Sequence, residues 1–459
     1  MKKVLFFVMT LVASAFIVPN AFAAAPQYYE NFAGGKEIFF ANGTEITISE
    51  RTDSVEGALI TWDGGQQLVT ANVAVFGGSH NSDVEVNASI TMNGGTVKNI
   101  FGGGLHKSKV GTVEITLNDG VVKGSIMGGG YDGYVWGSNE NCSCANTNTL
   151  EKVKDSTVRV EEVLITVNGG SVYMIYGGGG GYNYVGSASV IISALDKKAS
   201  YVTAGGSNGY TGTAEVLVTG GEIAVLQGVN RGEMEEISMM IQGGVIENVY
   251  AGGESGDASV DGTFEESLVM LGESITGNGA EIGSISTGTN GGKTAAAAET
   301  TKLAYEEELY SEELFENSGF ADENINTMIT LRFIGSLQNV GDLITIPVSV
   351  PKGTKFTEEE VQELLDAVNE QLGEAEIEFK GFFTNEKFDV EYDFTKSIDE
   401  DTDVYMLFAE KGAAEEDAPA ETPAEKNPET SDINMMALII ALLIGGTGLA
   451  FTIKNRKFN

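Results

Sequence analysis

The chain has 459 residues, 60 of them glycine and only 7 proline, with 66 Asp and Glu against 27 Lys and Arg for a net charge of −39. High glycine without proline or a three-residue period excludes collagen, and the acidity repels nucleic acid, with no basic patch or RNA-binding motif to relieve it. It suits instead a soluble extracellular surface, and the length allows two or three domains.

Residues 1–23 read as a secretory signal peptide. Lys2 and Lys3 precede an apolar stretch that ends in Ala21-Phe22-Ala23, so cleavage is expected between Ala23 and Ala24.

Residues 24–292 carry a repeat. "GGTVKNIFGGG" at 94–104 returns as "GGSVYMIYGG" at 169–178, "GGEIAVLQG" at 220–228 and "GGVIENVYAGG" at 243–253. Asp63, Asn93, Asn118, Asn168, Thr219 and Gln242 each stand before a Gly-Gly or its equivalent and mark the units. A worn copy lies at 191–206, an insertion at about 131–159, and a degenerate unit at about 264–287, giving about eight units. Before each marker runs an alternating stretch such as "VEITL" or "VLITV", which predicts a strand with one buried face. The marker and its glycines predict a sharp turn. One unit cannot bury its own face, but a stack can, so the expectation is a parallel β-helix or solenoid, its first coil covered by residues 24–51. At about 4.8 Å per coil it would span roughly 40 Å. A sandwich or propeller of hairpins is the alternative, because Asn-Gly also signals hairpins.

Residues 293–325 are acidic and read as a linker or a short cap. In 326–410 a helix is expected from Thr357. Thr357 and Glu360 form a capping box, Val361, Leu364, Leu365, Val368 and Leu372 share a face, and Gly373 ends it. Strands flank it at "LITIPVSV" and "EIEFKGFF". The end of this region resembles the Listeria–Bacteroides repeat, the B-repeat of internalin-type surface proteins. The matching residues are Gly381-Phe382-Phe383-Thr384-Asn385, Tyr392-Asp393-Phe394-Thr395 and Asp403-Val404-Tyr405, with Phe382 in place of the family's tryptophan and Phe408 at the closing aromatic position. The resemblance implies a small α+β module of the β-grasp type and no catalysis.

Residues 411–426, rich in Ala, Glu and Pro, read as an extended spacer. Residues 427–459 begin with Asn427-Pro428-Glu429-Thr430-Ser431-Asp432. An uncharged run of 21 residues at 433–453 follows, then Lys454, Arg456 and Lys457. That run is long enough for a helix across a bilayer of about 30 Å, and the basic tail predicts that the bulk of the chain lies outside. This order resembles a Gram-positive sorting signal of the LPXTG type, with Asn427 for the usual Leu and Ser431 for the usual Gly. The resemblance implies that a sortase cleaves between Thr430 and Ser431 and transfers the chain to peptidoglycan. A plain membrane anchor is the alternative.

No cofactor is implied by any motif. Pectinase-type patterns, EF-hand loops and nonapeptide calcium repeats are not found. His80 and His106 follow glycine runs and are expected on neighbouring coils, without a third ligand. Cys142 and Cys144 read as loop residues or one local disulfide. Tyr131, Tyr134, Trp136, Tyr182 and Tyr184 gather after glycine runs, as aromatics that stack on sugars or pack an inserted loop against the coils. The expected whole is a secreted, wall-anchored adhesin for host or neighbouring-cell glycans or proteins. The alternative is a wall-anchored carbohydrate-active enzyme, and a structural spacer is the third reading.

Overall fold

The computed structural model describes residues 24–410 apart from internal stretches, the longest being 133–157, 254–265, 288–300 and 363–376. The expected signal peptide, spacer, sorting motif and membrane span lie outside the described residues, as do Tyr134, Trp136, Cys142, Cys144 and Tyr182. Among the described residues no helix is long and apolar enough to cross a membrane. The described chain is mainly β and divides into two units near residue 326.

The first unit is a stack of parallel rungs. One ladder runs Ile46–Glu50, Glu85–Val97, Ser108–Met127, Val158–Val167, Tyr184–Ile192, Tyr210–Val218, Glu233–Ile241, Glu266–Leu271 and Thr301–Tyr305. A second ladder joins Lys36–Phe40, Ala74–Phe76, Asn99–Phe101, the end of Ser108–Met127, Ser171–Tyr176, Ala199–Thr203, Glu222–Val229, Val245–Gly253 and Glu281–Ser286. Alternation in sequence becomes columns in space. Ile46, Ile90, Ile115, Ile165, Val190, Val216, Met239, Val269 and Leu303 lie in register, all buried in one core. Each side chain meets near-copies of itself, so one small pattern repeated is enough to pack the interior.

The glycine corners are close approaches of backbone to backbone. A Cβ on Gly102 would fall 2.3 Å from the Gly128 carbonyl oxygen and 2.2 Å from Val113 Cγ1. Polar turns add a ladder of their own, in which Asn118 Nδ2 donates to Asn93 Oδ1 at 2.9 Å and Asn168 Nδ2 to Asn118 Oδ1 at 3.0 Å. The insertion does not disturb the stack, because Val158–Val167 pairs directly with residues 108–117.

Three expectations change at the ends. Asp63-Gly64 does not mark a coil. It is the two-residue turn of an antiparallel hairpin, Gly57–Trp62 with Gly65–Thr70, and Gly64 has φ +87°. This hairpin pairs antiparallel with the first rung and covers it. Residues 24–51 are only partly a cover: Gln27–Phe32 pairs antiparallel with Lys36–Phe40, but Lys36–Phe40 and Ile46–Glu50 are themselves the first coil. Side chains seal this end. Glu37 accepts from Tyr28 Oη at 2.9 Å and from the Thr70 N–H at 2.8 Å, and Arg51 Nη1 donates to the Val69 carbonyl at 2.8 Å. At the other end, Thr301–Tyr305 belongs to the stack as a last rung, so 293–325 is not a linker throughout. Tyr310, Phe315 and Phe320 then close the core around single 3-10 turns at Glu312–Leu314 and Asp322–Asn324. The stack thus holds nine coils among the described residues, where the repeat count gave about eight.

Among the described residues, the second unit is a four-stranded mixed sheet. Its first strand, Ile325–Leu337, pairs antiparallel with the second, Gly341–Pro351, and parallel with the fourth, Thr402–Glu410. The fourth pairs antiparallel with the third, Ile377–Phe383. The expected helix is described only at its start, where Val361 N–H donates to the Thr357 carbonyl at 3.0 Å. The core is aromatic: Phe394 lies 5.1 Å from Phe382, 5.7 Å from Phe356 and 4.6 Å from Tyr392.

Candidate functional site

Two of the five candidate aromatics are described, and they belong to different environments. Tyr131 sits where the chain leaves the second ladder. Its ring meets Phe101 edge-on at 5.7 Å, at the end of a column in which Phe76 stacks on Phe101 at 4.5 Å and Phe40 lies 5.2 Å from Phe76. These rings form a second, smaller core with Ile38, Ala74 and Leu105, against which Tyr131 packs partly buried. Its aromatic surface is therefore largely spent on packing.

Tyr184 begins a rung of the first ladder, in register with Arg159 on one side and Tyr210 on the other. The Arg159 guanidinium carbon stands 3.7 Å from the Tyr184 ring centre, and the Tyr210 ring stacks on it at 5.3 Å. The Tyr210 hydroxyl donates to Glu235. Because the two neighbours come from opposite rungs, both faces of Tyr184 are covered. A sugar ring stacks on a face, so Tyr184 offers it only an edge. Arg159 and Tyr210 were absent from the sequence candidates, yet the signal was there. Arg159, Tyr184 and Tyr210 each stand nine residues before Asn168, Ser193 and Thr219.

His80 and His106 do meet on neighbouring coils, with ring centres 5.7 Å apart and His80 bridged to Leu105. His80 also packs against Phe32 and Phe40. Burial, and then the charge of His106, hold the His80 imidazole below its ordinary pKa. His106 is 2% exposed and His80 partly buried against Phe32 and Phe40, so the pair lies beside the small core. Among the described residues no group of three or more His, Cys, Asp and Glu is placed to hold a metal ion. Glu114 is held above the usual carboxylate range by burial and by Glu45, and Glu162 by burial and by Glu161.

The chain matches no family model, no curated protein and no solved structure. The two resemblances read from the sequence thus rest on their own residues. Ala24, after the expected signal cleavage, is exposed, while Ala21, Ala23 and the sorting residues Asn427, Pro428, Glu429, Thr430 and Ser431 lie outside the described residues.

Proposed function

We propose that this chain is a secreted surface protein of a Gram-positive bacterium, anchored to the cell wall, that presents a parallel β-helix as an adhesive or recognition surface. The observation that carries it is the order at the C-terminus: Asn427-Pro428-Glu429-Thr430, an uncharged span at 433–453, then Lys454, Arg456 and Lys457. Two further features support it. The stack is covered at both described ends, as a solenoid needs in order to stay soluble. The second unit has the spatial strand order second, first, fourth, third, with first and fourth parallel, which fits the β-grasp module that its sequence resembles. Thr430 is here a substrate residue: the sortase thiolate attacks its carbonyl, the bond to Ser431 breaks, and the acyl group passes to a wall amine. Thr430→Ala is expected to move the chain from the peptidoglycan fraction to the membrane fraction. Retention of the variant on muramidase-sensitive wall would overturn the sorting step.

A further inference from the structure

On the outside of the second ladder, residues of successive coils form a strip that begins with two exposed lysines and an exposed tyrosine and continues through partly or fully buried apolar side chains. Lys98 and Lys123 occupy the third and fourth coils, and Tyr173 follows on the fifth at a bulge that faces Lys123 and Gly124, because Val172 pairs with Val122 and Met174 with Ser125. Met174, Tyr201 and Val225 then lie in register on the fifth, sixth and seventh coils. Lys98 and Lys123 are exposed. Tyr173 is 52% exposed, the foremost aromatic surface of the stack alongside Tyr29 at 38%.

We propose that this strip binds a sugar chain carrying fixed negative charge, with Tyr173 and Tyr201 stacking on sugar rings and Lys98 and Lys123 pairing with its anionic groups. The proposal deepens the adhesive reading above and rests on it. Three observations carry it. Among the described residues neither Tyr173 nor Tyr201 stacks on another aromatic ring, in contrast to Tyr184. Met174 and Val225 flank Tyr201 in register, so the ring stands between two apolar neighbours on the adjoining coils. In a chain of net charge −39, Lys98 and Lys123 are two exposed cations one coil apart, and they offer an anionic partner paired contacts that set its position along the strip. Lys123 Nζ is paired at 2.6 Å with Glu56, but both groups are exposed. Such a pair is weak and exchanges readily for a ligand anion. At about 4.8 Å per coil the four proposed contact residues, from Lys98 to Tyr201, span three coil steps, roughly 14 Å along the stack, a length suited to a polymer rather than to a single sugar.

The test uses cells displaying the full chain, with surface amount measured by antibody, on beads carrying hyaluronate, chondroitin sulfate or neutral dextran. Binding to one or both charged polymers, weakened at high salt, is expected. Tyr173→Ala and Tyr201→Ala should each weaken it about threefold to tenfold, and the pair Lys98→Glu, Lys123→Glu should abolish it while leaving display unchanged. The two charged polymers separate carboxylate from sulfate recognition. Equal binding to dextran would overturn the charge assignment. Binding to a charged polymer that none of the four substitutions alters would overturn the strip while leaving an adhesin in place. Full display with no binding to any polymer would overturn the sugar partner altogether, whereas loss of display would strike the anchoring reading and would show in the antibody signal.

Discussion

The two units bury their side chains by different rules. In the stacked coils a buried residue meets its counterpart one rung away, as Ile165 meets Ile115 and Val190. In the four-stranded unit Phe394 draws on Phe333, Phe356, Phe382 and Tyr392, which come from separate parts of the segment. The first arrangement spreads stability along a line of near-equal neighbours; the second concentrates it at a point. Damage should therefore stay local in the stack and become all-or-none in the small unit.

The strongest test of that contrast is Phe394→Ala. Phe394 is 3% exposed, and removing such a side chain costs about 3–5 kcal/mol. Hydrogen exchange across Ile325–Leu337 and Thr402–Glu410 should lose protection together, while Val158–Val167 and Tyr184–Ile192 keep theirs. Loss of protection in those stacked rungs as well would break the comparison.

A smaller effect is expected at the closed end of the stack. Burial pushes the Tyr310 hydroxyl up to about 12, although the Ala280 N–H that donates to it at 2.8 Å opposes the shift. An unfolded tyrosine ionises near 10. Its stabilising contribution is thus complete below pH 10 and is lost as pH rises towards 12, where the folded state would also have to ionise. The loss amounts to about 2–3 kcal/mol. It should appear first as faster exchange in Glu281–Ser286 and Thr301–Tyr305, measured against the intrinsic rate at each pH. Tyr310→Phe should remove this part of the alkaline sensitivity. An unchanged profile in that variant would show that Tyr310 does not govern the closed end.

The smallest effect belongs to the turn ladder. Asn118→Ala removes both bonds that join Asn93, Asn118 and Asn168. These residues are exposed, so a cost of about 1 kcal/mol is expected, confined to the second to fourth coils. A melting experiment on the variant should show a shift of a few degrees at most; collapse of the whole stack would contradict the nearest-neighbour picture.

Much of the stack was legible because its signals are local and repeated. Alternating Val and Ile predicted the rungs, and glycine runs predicted the corners that a Cβ at Gly102 would block. The errors fell where a local signal has two meanings. Asp63-Gly64 turns a hairpin as readily as a coil, and what decides is the strand that follows: "GQQLVT" is too polar for the interior and serves as an edge. "TKLAY" was missed as the last rung because no Gly-Gly marks it and three glutamates follow, although Leu303 and Tyr305 keep the inward alternation. The candidate site was less legible. Exposed and covered aromatics look alike in sequence, and only register shows that Tyr184 is enclosed by Arg159 and Tyr210 while Tyr173 stands open.

Wall anchoring is the claim from which the functional account follows, and mass spectrometry of the C-terminus tests it most directly. Cells would be fractionated, the wall digested with a muramidase, and the released protein's last peptide identified. The account predicts a peptide ending at Thr430 and joined to a wall peptide. A chain ending at Asn459 in the membrane fraction would contradict it.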